Sequence, residues 1–302
     1  MNMPPNLVQL IAKTRLPNGA VFATWVIKLP AFLDGEFRTH RQQSKSAASF
    51  RARTTKSMID DIVRDPFVRW HWTLNQPGMQ GHTHASDEVA AAARKWWLEA
   101  ADNAVAHACN LQLLGLHKQD CNRLLQPFSW MQYIVTSRDI HLDHWRALRD
   151  HPMAEPHFRD ITREALRLFD EAVAVDDVLH APYVGADERK EHAADECALI
   201  SATRCRRVSL FRVGDSTRSD AYADIASARD MSNERPMHAT PFEHQVWFDR
   251  SIIDFVNLAG NLAAIDDAGM PIRDGTVQHR KIFFGEYTSS PVKGGSHGTV
   301  RH

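Results

Sequence analysis

Apolar and polar positions change their period along the chain, and the changes outline its elements. Residues 21–29 carry Val21, Phe22, Thr24, Trp25, Val26 and Ile27 and stop at Pro30, a β-rich run that predicts a strand. After a short apolar stretch at Phe32 and Leu33, the segment 38–53 is basic and polar. Met58, Ile59, Ile62 and Val63 then recur at helical spacing and predict a helix over 56–63. Pro66 and Asn75-Gln76-Pro77-Gly78 read as loop. Ser86 with Asp87 and Glu88 makes a cap and an acidic first turn for a long Ala-, Leu- and Trp-rich helix reaching Leu114, with Gly115 as its stop. Further helices are predicted over 117–125, broken near Pro127, and over 143–148 and 158–174. Beyond Ala174 the composition shifts. Residues 198–213 read as a short strand or turn-strand with several arginines and 215–220 as a polar turn. Residues 236–248 and 251–265 carry the last regular structure, and the Gly/Ser-rich 289–302 is a flexible tail.

Charge and composition narrow the partners. With 36 Lys and Arg against 37 Asp and Glu, the net charge of -1 gives no global field for a polyanion. Direct nucleic-acid binding is therefore not expected, and phosphate binding must come from local clusters. No run of about eighteen apolar residues predicts a membrane span. The N-terminus has no basic stretch leading into an apolar one, so no secretory signal is read. Cys109, Cys121, Cys197 and Cys205 lack paired metal-ligand spacing, and a reducing cytoplasm is the default location. His71, His82 and His84 show neither helical pairing nor a carboxylate partner in sequence, so no metal is expected.

The segment Thr39-His40-Arg41-Gln42-Gln43-Ser44-Lys45-Ser46-Ala47-Ala48-Ser49-Phe50-Arg51 concentrates the candidate chemistry. Arg41 and Arg51 can each clamp phosphate oxygens in a bidentate fork, and three serines add hydroxyl donors. A solvated basic loop is the plain alternative for such a composition. The spacing resembles the signature of the flavin-dependent thymidylate synthases, nearest to a phage-type branch whose triplet begins with Thr. Gly115 to Pro127, with Arg123, and the pair Leu148-Arg149 before Ala154-Glu155-Pro156 resemble later elements of the same family. Thr203 to Ser209 and Thr240-Pro241-Phe242-Glu243-His244 resemble pieces that ordinarily precede the triplet, which implies a circularly permuted order.

The resemblance implies an α/β fold, a mixed sheet with a helical layer, in which 1–175 forms the flavin- and nucleotide-binding core and 176–288 completes it. It implies FAD held by His40, Arg41, Ser44 and His244. It implies a dUMP or dCMP substrate held by Ser49, Arg51, Arg123, Arg149 and Glu36. Methylenetetrahydrofolate would donate the carbon and NADPH the electrons, in a homotetramer. Arg149 would stabilise charge on the ring and His144 would stand where the family has Asn. Departures at Thr39, Glu36, Ala47 and His144 leave three readings open: methylation of dUMP, hydroxymethylation of dUMP or dCMP, and a non-catalytic nucleotide-binding protein. If the order is permuted, His244 and the segment from Arg204 pack beside the strand at 21–32 and line the flavin pocket.

Overall fold

The computed structural model describes residues 3–79, 81–208, 219–234, 240–248 and 274–280. Expectations placed on 209–218, 235–239, 249–273 and 281–302, the tail among them, lie outside these residues. The main sheet has the order β3-β4-β2-β1-β5, built from β1 (Val8–Arg15), β2 (Val21–Pro30), β3 (Ser44–Ala47), β4 (Trp130–Arg138) and β5 (Val175–Asp176). All neighbours run antiparallel except β5, which pairs in parallel with β1, so the sheet is mixed. β2 pairs along its whole length with β4, from Phe22 opposite Arg138 to Pro30 opposite Trp130. It is buried on both faces, which is why it reads as a nearly continuous apolar run.

Strand alternation gives the two faces different work. Trp25, Ile27, Leu29, Tyr133 and Val135 point into the main core. Packed there are Met58 and Ile62 of α2 (Thr55–Arg64), Leu142 and Trp145 of α5 (Asp139–Arg149), and Phe158, Ile161 and Ala165 of α6 (Pro156–Glu171). This is the helical layer of an α/β fold. The long α3 (Asp87–Leu113) begins at Ser86, whose side chain accepts from the Val89 N–H, and ends before Gly115 at φ +80°. The other face carries Phe22, Thr24, Val26, Ile134 and Thr136. It is covered by α8 (Ala194–Arg207), which follows the single turn α7 (Glu188–Glu191), and by a small sheet of β6 (Leu179–His180), β7 (Val246–Phe248) and β8 (Thr276–Gln278).

Several sequence expectations change. Residues 198–213, read as strand, contribute most of α8, in which every residue from Cys197 to Cys205 is buried. A helix buried all round loses the amphipathic period that would mark it. Its Arg204 is fully buried and donates to both Glu188 carboxylate oxygens (2.7 and 2.8 Å), to Asp224 Oδ2 (2.8 Å) and to the Tyr183 and Ser219 carbonyls. The helix expected over 117–125 is a single turn, α4 (Lys118–Cys121). β1, β3 and β4 were not anticipated, and β3 lies inside the segment read as loop.

Candidate functional site

A cleft of about 290 Å³ opens between the 39–43 turn and α5, lined by Thr39, His40, Arg41, Gln42, Gln43, His141, His144, Trp145, Leu148 and Arg149. The turn follows the short α1 (Asp34–Arg38) and is closed by its own backbone. His40 N–H donates to the Phe37 carbonyl, Arg41 N–H to Thr39 and Gln43 N–H to His40. Lys45 Nζ also donates to the His40 carbonyl and lies 5.2 Å from the Phe37 ring centre. Burial, with Arg38 nearby, lowers the Lys45 ammonium to about 8.

Arg149, in the last turn of α5, joins the pieces of the site. Its Nε donates to His40 Nε2 (2.8 Å), its Nη1 to Glu36 Oε2 (3.0 Å) and its Nη2 more weakly to Thr39 Oγ1 (3.5 Å). The guanidinium carbon lies 4.8 Å from the Phe158 ring centre and the His40 ring meets the same phenyl edge-on at 5.9 Å, so an aromatic floor under both fixes their planes. Arginine only donates, which makes His40 Nε2 the acceptor and assigns its proton to Nδ1. Burial, and then the charges of Arg149, Lys45 and His144, push the His40 imidazole down to about 4. His40 is therefore a neutral group at neutral pH.

The remaining expected residues divide into three groups. Arg41 and His144 line the cleft, are exposed, and make no side-chain hydrogen bond or ion pair among the described residues. Ser49, Arg51 and Arg123 are also exposed, in two segments tied together by the buried Asn122. Asn122 Nδ2 donates to the Phe50 (2.7 Å) and Arg53 (3.1 Å) carbonyls, on either side of Arg51. Arg51 has no acceptor among the described residues, while Arg123 reaches only Gln126.

Ser44 and His244 face the opposite side of the sheet from the cleft. Ser44 stands across from Thr136 in the β3–β4 register, and its Oγ accepts from Gln278 Nε2 at 2.7 Å. His244 is fully buried, with Nε2 bonded to Ser46 Oγ (3.0 Å) and Nδ1 to Thr136 Oγ1 (3.0 Å). The chain continues from Thr136 to Thr24 Oγ1 (2.7 Å), from there to His180 Nε2 (2.8 Å), and from His180 Nδ1 to Thr14 Oγ1 (2.9 Å). Two imidazoles thus bridge hydroxyls on four strands and seat the second layer on the sheet. Burial drives both His180 and His244 down to about 3, the His180 value helped by Arg189 and His244. The segment after Arg204 behaves likewise: Cys205 and Val208 pack on Val26 and Ile134. It lies beside β2 as a permuted order requires, but on the face away from the cleft. Arg204 itself serves the ion cluster with Glu188 and Asp224.

A flavin dinucleotide does not fit this arrangement as the resemblance drew it. Of its four expected contacts, only His40 and Arg41 line the cleft, Thr39 replaces a cation, and the volume is at the bottom of the range of ~300–1,000 Å³ usual for drug-sized ligands. Sequence reasoning missed Gln43, His141 and Trp145, which line the same cleft; a single glutamine beside Ser44 carries no motif signal. No metal-ligating group of three or more His, Cys, Asp or Glu occurs among the described residues, and no helix there is long and apolar enough to cross a membrane.

No family model and no curated protein matches the sequence. Among solved structures, the chain is similar to a UMP/dUMP methylase, PolB from Streptomyces cacaoi. With 5-Br UMP bound, that protein aligns at a TM-score of 0.45 and 13% identity over 54% of this chain and 88% of that one. With 5-Br dUMP bound, it aligns at 0.40 and 12% identity over 50% of this chain and 66% of that one, just under two thirds of its length.

Proposed function

We propose that the cleft binds a pyrimidine deoxynucleoside monophosphate and that the protein transfers a one-carbon unit to C5 of its ring, with methylation of dUMP to dTMP as the reaction and methylenetetrahydrofolate as carbon donor. One observation carries this reading: Arg149 bonds to His40 and Glu36, so that stretches of chain the sequence resemblance assigns separately to ring, cofactor and substrate meet at a single cation. C5 becomes nucleophilic as negative charge builds on the ring oxygens. An arginine held by His40, Glu36 and, more weakly, Thr39 still has free N–H donors for that charge, at a site it need not reorganise to serve. Glu36 balances the guanidinium before substrate arrives. Arg51, without an acceptor among the described residues, supports the phosphate role.

A methyl product requires a hydride, which reduced flavin recharged by NADPH would supply. His40 and Arg41 are the cleft residues that would meet it. The exposed, unpaired His144 supports a second outcome, in which it holds a water that adds to the carbon adduct and leaves a hydroxymethyl group on dUMP or dCMP. The test is product mass after incubation with dUMP or dCMP, methylenetetrahydrofolate, FAD and NADPH. A methylated dUMP supports the first outcome and a hydroxymethyl nucleotide the second. Failure of the protein either to bind or to alter both nucleotides overturns the proposal.

A further inference from the structure

Gln43 is 5% exposed, yet neither its amide nitrogen nor its amide oxygen has a hydrogen-bond partner. The same holds for Nε2 of the buried His141 and Nε1 of the buried Trp145. All three side chains line the one cleft. A buried polar atom without a partner costs its full desolvation, and native proteins leave few of them. Here four unpaired atoms belong to side chains from two elements that line one cavity. The backbone cannot easily relieve Gln43, because its N–H is held by the His40 carbonyl. On its other side Ser44 is held in β3 by strand pairing and by Gln278. A binding site whose partners arrive with the ligand accounts for this pattern better than a packing slot does.

We infer that Gln43 reads the pyrimidine base: its side-chain amide presents an N–H donor beside a C=O acceptor, the complement of a planar edge that carries the same pair reversed. Uracil offers such an edge in O4 and N3–H. Cytosine offers it in N3 and the 4-amino group, met by the flipped amide. The Trp145 N–H supplies a donor for a further ring oxygen, a feature both bases have in O2. The assignment rests on the proposed function and deepens it, by naming what distinguishes the base from the sugar phosphate.

The experiment is a cycle of binding measurements by calorimetry. Wild type and Gln43→Met are titrated with dUMP, dCMP, N3-methyl-dUMP and deoxyribose 5-phosphate. Base reading predicts that Gln43→Met weakens dUMP or dCMP binding by about tenfold or more while deoxyribose phosphate is unaffected. N3-methylation should weaken dUMP on the wild type by a similar factor, and on Gln43→Met should weaken it no further. The wild-type comparison of dUMP with N3-methyl-dUMP needs no variant and stands even if Gln43→Met folds poorly. A wild type that prefers dCMP and is indifferent to N3-methylation of dUMP, with Gln43→Met weakening dCMP alone, assigns the edge to cytosine. Normal nucleotide binding that is unchanged by Gln43→Met, or an equal loss for deoxyribose phosphate, overturns the role of Gln43 alone. A wild type that binds none of the ligands overturns the functional reading beneath it.

Discussion

Acid should unfasten the two layers of this protein before it affects the carboxylates. His180 and His244 are buried as neutral bases with both nitrogens bonded to hydroxyls, and their folded values near 3 lie far below the ordinary 6.5. The unfolded chain therefore binds protons that the folded chain refuses. The stability these groups provide is complete above about pH 6.5 and is lost as pH falls toward 3. Each imidazole taking up a proton only on unfolding costs ~1.4 kcal/mol per pH unit once below 6.5, so acidification from about pH 7 to about pH 5 removes ~2 kcal/mol per histidine and ~4 kcal/mol for the pair. Against a typical stability of ~5–15 kcal/mol that is a large share. Urea midpoints followed by far-ultraviolet dichroism at pH 7, 6 and 5 measure it. Replacing both histidines by Gln, a neutral side chain that still bonds hydroxyls, should lower the slope between pH 6 and 5 by ~2 kcal/mol per pH unit, the remainder coming from other buried imidazoles such as His40 and His279, both held near 4. A flat wild-type profile, or a slope unchanged in the double variant, would refute the reasoning.

Other perturbations test other parts of the structure. Arg204→Met removes the buried cation that Glu188 and Asp224 share, leaving Asp224 with Arg207, and should cost ~3–5 kcal/mol in urea unfolding; a change below 1 kcal/mol, on the order of a surface mutation, would contradict the cluster's role. Asn122→Ala frees the carbonyls of Phe50 and Arg53. It should lower stability by ~1–3 kcal/mol and weaken nucleotide binding in calorimetry by loosening Arg51, whereas intact binding would separate the two loops. Arg51→Ala should lose nucleotide affinity by ~1.5–3 kcal/mol with little effect on added flavin, and Arg41→Ala the reverse. Equal effects of both on both ligands would show the loop divided wrongly.

Local signals were legible where local physics decides. Ser86 and Gly115 bracket α3 because a cap and a left-handed stop are chemical facts of single residues. β2 was visible because aromatic and β-branched residues crowd a strand that ends at a proline. β4 was not: Trp130-Met131-Gln132-Tyr133 follows a proline turn without alternation, since this central strand is covered on both faces. α8 was mistaken for strand for the same reason, burial all round having erased its period, and Arg204, expected at the flavin pocket, has its charge met by residues up to 20 positions away. At the site, spacing brought Arg149, His40 and Glu36 into view, since each belongs to a motif piece. It misplaced Ser44 and His244, because a loop reading assigns no faces and β3 does. Gln43 stayed hidden because nothing in a sequence distinguishes a glutamine left unpaired from one in solvent.

The four residues of β3 set a constraint on how this segment can change. Ser44 and Ser46 serve the imidazole layer while Lys45 braces the turn beneath the cleft, and the division depends only on odd and even position. Losing or gaining one residue between Gln43 and Ala47 would turn the hydroxyls toward Phe37 and drive an ammonium among His244, Thr136 and Thr24. A shift of two would restore the faces but drag the His40 turn along the strand and away from Arg149. Substitution is therefore open to this stretch and change of length is not. A natural variant that kept both the cleft and the second layer should keep Gln43 and Ala47 the same number of residues apart.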